Sequence, residues 1–328
     1  MNSIFIDQQS KHLRSGWRAL IFLILSPFAL ILVAPFLSSS ETSQAGIAVN
    51  LPTIISYVVQ VGWLLLASWL CLKYLEQMRL GSLGFAFFRG WWREMWLGFS
   101  MAALMIIAVV VIQAIGGGTR LLLNPMFWKS ADSVRRIDWI GFGLIFREIG
   151  LALVLFALAA AFEELLFRGY PFQTLLRGGI SPAVPIILLS VFFGVMHLGN
   201  PSSTKFSTVN TILAGIWLSI AYLKTRSLWF PTALHLGWNW TMGAFFGIPV
   251  SGLKLVQYPV FLATSDAPLW LTGGSYGCEG GAVATFVLAA ATLLIWKVKW
   301  LRIAPDMQAA LDTRDTEKTE TIKLGLVE

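Results

Sequence analysis

Charge is what this sequence has least of. Asp, Glu, Lys and Arg make up 12% of its 328 residues, roughly half the share found in an average soluble domain. Hydrophobic residues make up 56%. Together these values exclude an ordinary soluble enzyme and a disordered chain. Cysteine is nearly missing too: Cys71 and Cys278 are the two present, too few for a disulfide scaffold. Cys71 reads as a small core residue of an apolar span, and no disulfide to Cys278 is expected across a membrane. There is no His-Glu-x-x-His string for a zinc protease and no phosphate-binding Walker string for nucleotide-driven transport. Serine and cysteine hydrolase readings find little support. No internal repeat is visible, which removes the usual sign of an inverted-repeat transporter.

Long apolar runs are present instead. A helix needs about 20 mostly apolar residues to cross a bilayer. Eight candidates stand out: Trp17–Leu37, Leu51–Leu72, Trp96–Ile115, Ile149–Phe167, Pro182–Met196, Val209–Leu223, Leu228–Phe246 and Ala282–Leu301. The expected fold is therefore all-α, a polytopic membrane helical bundle of about eight transmembrane helices. Fifteen Trp and 23 Phe suit two membrane interfaces, where aromatic rings collect. The formal net charge of +7 fits basic flanks of membrane spans better than a nucleic-acid surface. The lipid bilayer is the expected partner and nucleic acid is not.

The basic residues also orient the chain. With the N-terminus inside, 17 of the 24 Lys and Arg fall in cytoplasmic segments and seven outside. The positive-inside rule then places both termini in the cytoplasm. Five of the seven outer cations lie in residues 116–148, which reads as an amphipathic interfacial stretch anchored by Trp128 and Trp139. The first apolar stretch is longer than the core of a signal peptide and reads as an uncleaved span. Residues 1–302 form one membrane domain, with a motif-bearing core at about 149–247. Residues 303–328 are polar and of mixed charge, and read as a mobile cytoplasmic tail.

Ionisable side chains inside a span are costly and call for a reason. Here they gather in three places. Ala161-Phe162-Glu163-Glu164-Leu165-Leu166-Phe167-Arg168 ends an apolar helix with two carboxylates and a cation. Glu164 and Arg168 are i, i+4 neighbours and can pair. Glu163 projects about 100° away from Glu164, so the two carboxylates can do different jobs, and a carboxylate without the arginine in an apolar setting suits general-base work. A plain ion pair closing the span is the simpler alternative. Phe193-Gly194-Val195-Met196-His197 puts a histidine at a span end, where an interfacial role competes with a chemical one. His235-Leu236-Gly237-Trp238-Asn239 places His235 and Asn239 on one helix face, where interhelical hydrogen bonding is the competing role. Two of the chain's three histidines thus lie in apolar spans, within 75 residues of both carboxylates. Converging on one cavity, these six groups would satisfy one another and supply a base, a water holder and oxyanion donors. Those are the parts of an acyl hydrolase. Glu279, flanked by glycines in Gly277-Cys278-Glu279-Gly280-Gly281, reads as the interfacial start of the last span.

The pattern Glu163-Glu164-x-x-x-Arg168, Phe193-x-x-x-His197 and His235-x-x-x-Asn239 resembles the CAAX-protease and bacteriocin-processing family, which includes the type II CAAX prenyl endopeptidases. The run from Gly215-Ile216 through Thr225-Arg226-Ser227-Leu228-Trp229-Phe230-Pro231 to His235 also resembles that family's third motif block. The resemblance covers about residues 155–245. It implies an intramembrane glutamate-type endopeptidase that needs neither metal nor cofactor. It further implies that Glu163 and His197 activate a water, that His235 and Asn239 stabilise the oxyanion, and that Glu164 and Arg168 support the site. The division of labour between the two glutamates rests on the resemblance. The implied substrate is a membrane-associated protein or peptide, prenylated or bacteriocin-like or neither. A non-catalytic immunity or partner-binding protein of the same fold is the main alternative. An ion-coupled transporter is a third, since buried Glu and His also serve proton relays.

Overall fold

The computed structural model describes residues 4–7, 12–37, 49–131 and 134–312. It is a helical membrane bundle with little sheet. Its helices are α1 (Ser15–Leu25), α2 (Phe28–Leu37), α3 (Leu51–Cys71), α4 (Trp91–Ile115), α5 (Trp139–Phe167), α6 (Tyr170–Arg177), α7 (Ala183–Met196), α8 (Lys205–Thr225), α9 (Trp229–Trp240), α10 (Leu269–Thr272), α11 (Ala282–Lys297) and α12 (Pro305–Asp312). Among the described residues, five helical stretches are long and apolar enough to cross a membrane, Ser15–Leu32, Leu51–Glu76, Trp91–Ile115, Trp139–Arg177 and Lys205–Thr225. Helices α7 and α11 are shorter apolar helices. Helix α9 is shorter still and runs on into a π turn over Thr241–Phe245.

Local chemistry sets several helix boundaries. The first expected span is broken in two at Ser26-Pro27. Pro27 has no N–H to give the Leu23 carbonyl, and the Ser26 hydroxyl takes that carbonyl instead at 2.9 Å. Asn50 caps α3 by accepting the Thr53 amide. Asp138 caps α5 through the Ile140 amide. Helix α8 opens with a reciprocal capping box between Thr204 and Ser207. Each cap answers an amide that would otherwise be orphaned at a helix start.

Two expectations need correction. Residues 116–148 are not one amphipathic interfacial stretch. Gly116–Gly118 ends α4, and two small antiparallel pairs follow: β1 (Arg120–Leu123) with β4 (Phe261–Thr264), and β2 (Trp128–Ala131) with β3 (Val134–Ile137). Helix α5 then begins ten residues before the expected span and carries Arg147 and Glu148 within it. Glu148 is buried and accepts the amide of Gln257. Its charge therefore ties α5 to the loop beyond α9. The start of the expected tail is also structured: α12 buries Met307, and Asp306 accepts the Arg89 amide. Residues 313–328 lie outside the described residues.

Two apolar cores hold the bundle. One joins α4, α5, α8, α9 and α11 around Val109, Phe156, Trp217, Leu234 and Leu288. The other joins α1, α3, the end of α5, α6 and α7 around Phe22, Leu64, Leu165, Tyr170 and Phe193. Glycines let α4 and α9 nearly touch, as small residues do in membrane interfaces. A Cβ on Gly98 would lie 2.7 Å from the Phe230 carbonyl, and one on Gly237 would lie 2.5 Å from the Phe99 carbonyl. This close crossing fixes the helix that bears His235 and Asn239. Both cysteines are free and buried.

Candidate active site

All six polar residues singled out from the sequence lie at the junction of the two cores. The last turn of α5 supplies Glu163 and Glu164, and its C-cap is Arg168. The C-cap of α7 is His197. One face of α9 supplies His235 and Asn239.

Glu164 and Arg168 are buried, and they pair through Oε1 and Nη1 at 3.1 Å. Arg168 also donates from Nη2 to the Gly215 carbonyl at 2.8 Å and from Nε to Ser219 Oγ at 3.4 Å. Its guanidinium carbon lies 5.0 Å from the centre of the Phe193 ring, a cation–π contact. The i, i+4 spacing therefore gives a pair whose cation is also held by α8 and α7. The same Glu164 Oε1 accepts Nδ1–H of His235 at 3.0 Å.

Glu163 faces elsewhere. Its side chain is 24% exposed, and Oε2 lies 4.0 Å from His197 Nε2 and 3.8 Å from His235 Nε2. Neither separation is a direct hydrogen bond, and Oε2 makes none among the described residues. A bridging water fits such a gap. His197 Nδ1 meets the Phe193 carbonyl at 2.7 Å. A carbonyl accepts only, so Nδ1 carries a proton there, and Nε2 is the ring nitrogen turned toward Glu163.

These groups line a cavity of about 410 Å³. Glu163, His197, His235 and Asn239 reach it, whereas Glu164 and Arg168 do not. Its walls come from α2, α3 and α11 as well as α5, α7, α8 and α9. They are mostly apolar, with Leu30, Phe156, Phe162, Phe193, Met196 and Leu288 among them. Among the described residues, no three or more His, Cys, Asp or Glu side chains are grouped to hold a metal ion.

Glu279 was assigned from the sequence to an interfacial helix start, and the structure puts it in the cavity wall. Its Oε1 accepts Trp238 Nε1–H at 2.8 Å; its Oε2 accepts the Ser251 amide and hydroxyl, each at 2.8 Å. Ser251 has a left-handed backbone (φ 48°), uncommon for a non-glycine residue, and both of its bonds to Glu279 hold it there. Asn210 anchors the same turn by donating to the Glu279 and Gly281 carbonyls. The glycines flanking Glu279 were the available signal. Gly277 has φ 100°, and a Cβ there would lie 1.9 Å from the Pro249 carbonyl.

One serine-hydrolase string does occur, Gly273-Gly274-Ser275-Tyr276-Gly277. It lies in turns after α10 rather than in a strand-to-helix elbow. Ser275 is exposed and hydrogen-bonds no histidine among the described residues.

Comparison with known proteins agrees with the motif pattern. A family model described as "Type II CAAX prenyl endopeptidase Rce1-like" matches residues 145–241. The uncharacterized protein YyaK of Bacillus subtilis (strain 168) is 25% identical over 139 residues, which is 42% of this chain and 39% of that protein. The chain thus matches well under half the length of that relative. No solved structure matches. The chain is an integral membrane protein, and its motif-bearing segment, residues 145–241, is similar to the Rce1-like type II CAAX prenyl endopeptidases.

Proposed function

We propose that the chain is a glutamate-type intramembrane endopeptidase that hydrolyses a peptide bond in a membrane-associated protein or peptide. The observation that carries this reading is the placement of Glu163 Oε2, 4.0 Å from His197 Nε2 and 3.8 Å from His235 Nε2, at the wall of a mostly apolar cavity. A water in that gap donates one proton to Glu163 and its other to the His197 lone pair. As the water attacks the substrate carbonyl carbon, Glu163 takes its proton. The carbonyl oxygen becomes an oxyanion facing α9, where Asn239 Nδ2 and His235 Nε2 donate to it. His235 already gives Nδ1–H to Glu164, so it carries both ring protons in this step, with Glu164 as its counter-charge. Glu163 then passes its proton to the leaving amine as the C–N bond breaks. Arg168 works through Glu164, holding the carboxylate that orients His235.

The mechanism uses no metal. Both termini face the cytoplasm in this reading, supported by the 17-to-seven bias of Lys and Arg.

The test is cleavage of a peptide library by the purified protein in lipid, beside Glu163→Gln and with a chelator arm. The library holds prenylated CAAX peptides and unmodified transmembrane peptides. Cleavage lost in Glu163→Gln and kept with chelator supports the proposal. Loss with chelator overturns the metal-free mechanism. A partner bound equally by both proteins, with no peptide cut, supports a non-catalytic binding protein instead.

A further inference from the structure

Helix α3 lies outside the residues that the family model matches, yet it forms one wall of the same cavity. Thr53, Ser56, Tyr57 and Gln60 all line it. Their spacing of i, i+3, i+4 and i+7 puts them on one face of the helix. Ile55 and Val58 lie off that face and are exposed, as lipid-facing residues of a span are. The polar side of α3 therefore points inward, and polar groups inside a membrane protein call for a reason.

Two of the four groups are spent on the helix itself. The Thr53 hydroxyl donates to the Asn50 side-chain oxygen at 2.8 Å, and the Ser56 hydroxyl donates to the Thr53 carbonyl at 2.8 Å. The other two are uncommitted: neither the Tyr57 hydroxyl nor the Gln60 amide makes a hydrogen bond among the described residues. Gln60 is 7% exposed, so its amide meets the cavity rather than bulk water. A buried polar group without a partner is an exception that needs an explanation. Tyr57 stands one turn away on the same face. Its ring meets Phe162 edge-on with 6.3 Å between centres, and Phe162 is the chain neighbour of Glu163. The phenol thus sits beside the end of α5 that carries the proposed base.

A peptide bond open to attack makes its own demand. A helix commits its carbonyls to intrahelical bonds, so the segment presented to Glu163 is extended. An extended segment in a mostly apolar cavity leaves its N–H and C=O groups without water. A glutamine amide offers an acceptor and donors together, and a phenol offers one of each. We propose, resting on the proteolytic reading above, that the inner face of α3 is a docking strip for the substrate's backbone. The Gln60 side-chain oxygen accepts a main-chain N–H of an extended segment, the Tyr57 hydroxyl donates to a main-chain carbonyl, and the apolar walls take the side chains. Recognition by α3 then follows backbone shape rather than side-chain identity.

The test pairs substitutions in α3 with peptides N-methylated at one backbone nitrogen at a time. The probe is a prenylated CAAX peptide or an unmodified transmembrane peptide, whichever Glu163→Gln binds more tightly in lipid. Gln60→Leu and Tyr57→Phe should each weaken binding on the Glu163→Gln background, and raise KM on the otherwise unaltered protein, by about three- to tenfold, the size of one neutral hydrogen bond. The kcat should stay within about twofold, since these are ground-state contacts. N-methylation at one nitrogen should cost the unaltered site a similar factor and cost Gln60→Leu little, because the bond it blocks is already gone. Val58→Ala, on the lipid face, should change none of these values. Gln60→Leu replaces an unpaired amide with an apolar group, so its unfolding midpoint should hold or rise, whereas loss of a structural glutamine would lower it. Unchanged binding in both variants, or N-methylation losses that add to that of Gln60→Leu at every position, overturns the inference and leaves proteolysis standing. A fall in kcat with KM unchanged also overturns it, and makes the strip a route for water. If neither peptide is cut, the proteolytic reading falls, and the binding measurements decide the docking strip in the same way. Binding of neither peptide overturns both. Should Gln60→Leu misfold, Tyr57→Phe, which removes a single oxygen, carries the comparison of binding and KM.

Discussion

Glu164 and His235, 71 residues apart in sequence, meet at 3.0 Å inside the bundle. The carboxylate oxygen they share also takes Arg168 at 3.1 Å. One buried atom thus joins the end of α5 to the middle of α9, and Arg168 extends the link to α8. None of these three groups is free to relax into water.

The first prediction concerns that cluster. Removing one member of a buried ion pair leaves an uncompensated charge, which costs about 3–5 kcal/mol. Arg168→Ala should therefore destabilise by about that much, read by denaturant unfolding in mixed micelles. Arg168→Lys should not restore stability, because a point cation cannot reach Glu164, Gly215 and Ser219 together. A stable Arg168→Lys would show that charge alone holds the cluster.

Glu163 should behave in the opposite way. It is part-exposed at the cavity wall, and its Oε2 contributes no hydrogen bond to the fold. Glu163→Gln and His197→Gln should each lower cleavage by about 10²–10⁴-fold, the usual range for a general base. Stability should change by under about 1 kcal/mol. If unfolding midpoints fell together with activity, the residues would be structural.

Much of this was legible because polar residues stand out in apolar helices. The i, i+4 rule pairs Glu164 with Arg168 and turns Glu163 elsewhere, and those are the positions found. His235 and Asn239 likewise share a helix face and reach the same cavity. The bond from His235 to Glu164 was not legible, since helical periodicity says nothing about partners on another helix. The pairing of Arg120–Leu123 with Phe261–Thr264 was hidden for the same reason, by a long separation in sequence. Glu279 was misread because a glycine-flanked carboxylate before a span looks like a helix start. Its role depends on Trp238 and Ser251, which only the folded loop brings together. The break at Pro27 was readable from proline chemistry, but mean hydropathy over the first span concealed it.

The crossing of α4 and α9 gives a third prediction. Gly237 lies between His235 and Asn239, and a Cβ there would sit 2.5 Å from the Phe99 carbonyl. Backbone cannot retreat as a side chain can. Gly237→Ala should therefore cost about 1–3 kcal/mol and also weaken cleavage, because α9 must shift away from Glu163. Gly98→Ala, on the facing helix, should show the same double loss. A substitution that lowered stability and left kcat intact would mean that the site tolerates movement of α9.

Asn239 separates binding from chemistry most cleanly. It reaches the cavity with its amide uncommitted, one helical turn beyond His235. A donor aimed at the developing oxyanion is stronger in the transition state than in the bound substrate, so its loss falls on kcat. Removing one such donor costs about 10²–10³-fold in other acyl-transfer sites. Asn239→Ala should therefore lower kcat by that factor with KM nearly unchanged, since ground-state contacts come from the apolar walls. Asn239→Asp keeps the size but replaces the donor with a carboxylate, and should be worse than Ala because it repels the oxyanion. Steady-state cleavage of one transmembrane peptide by the three proteins checks both points. If instead KM rose and kcat held, Asn239 would be a substrate-binding amide, and the oxyanion would have to rely on His235 alone.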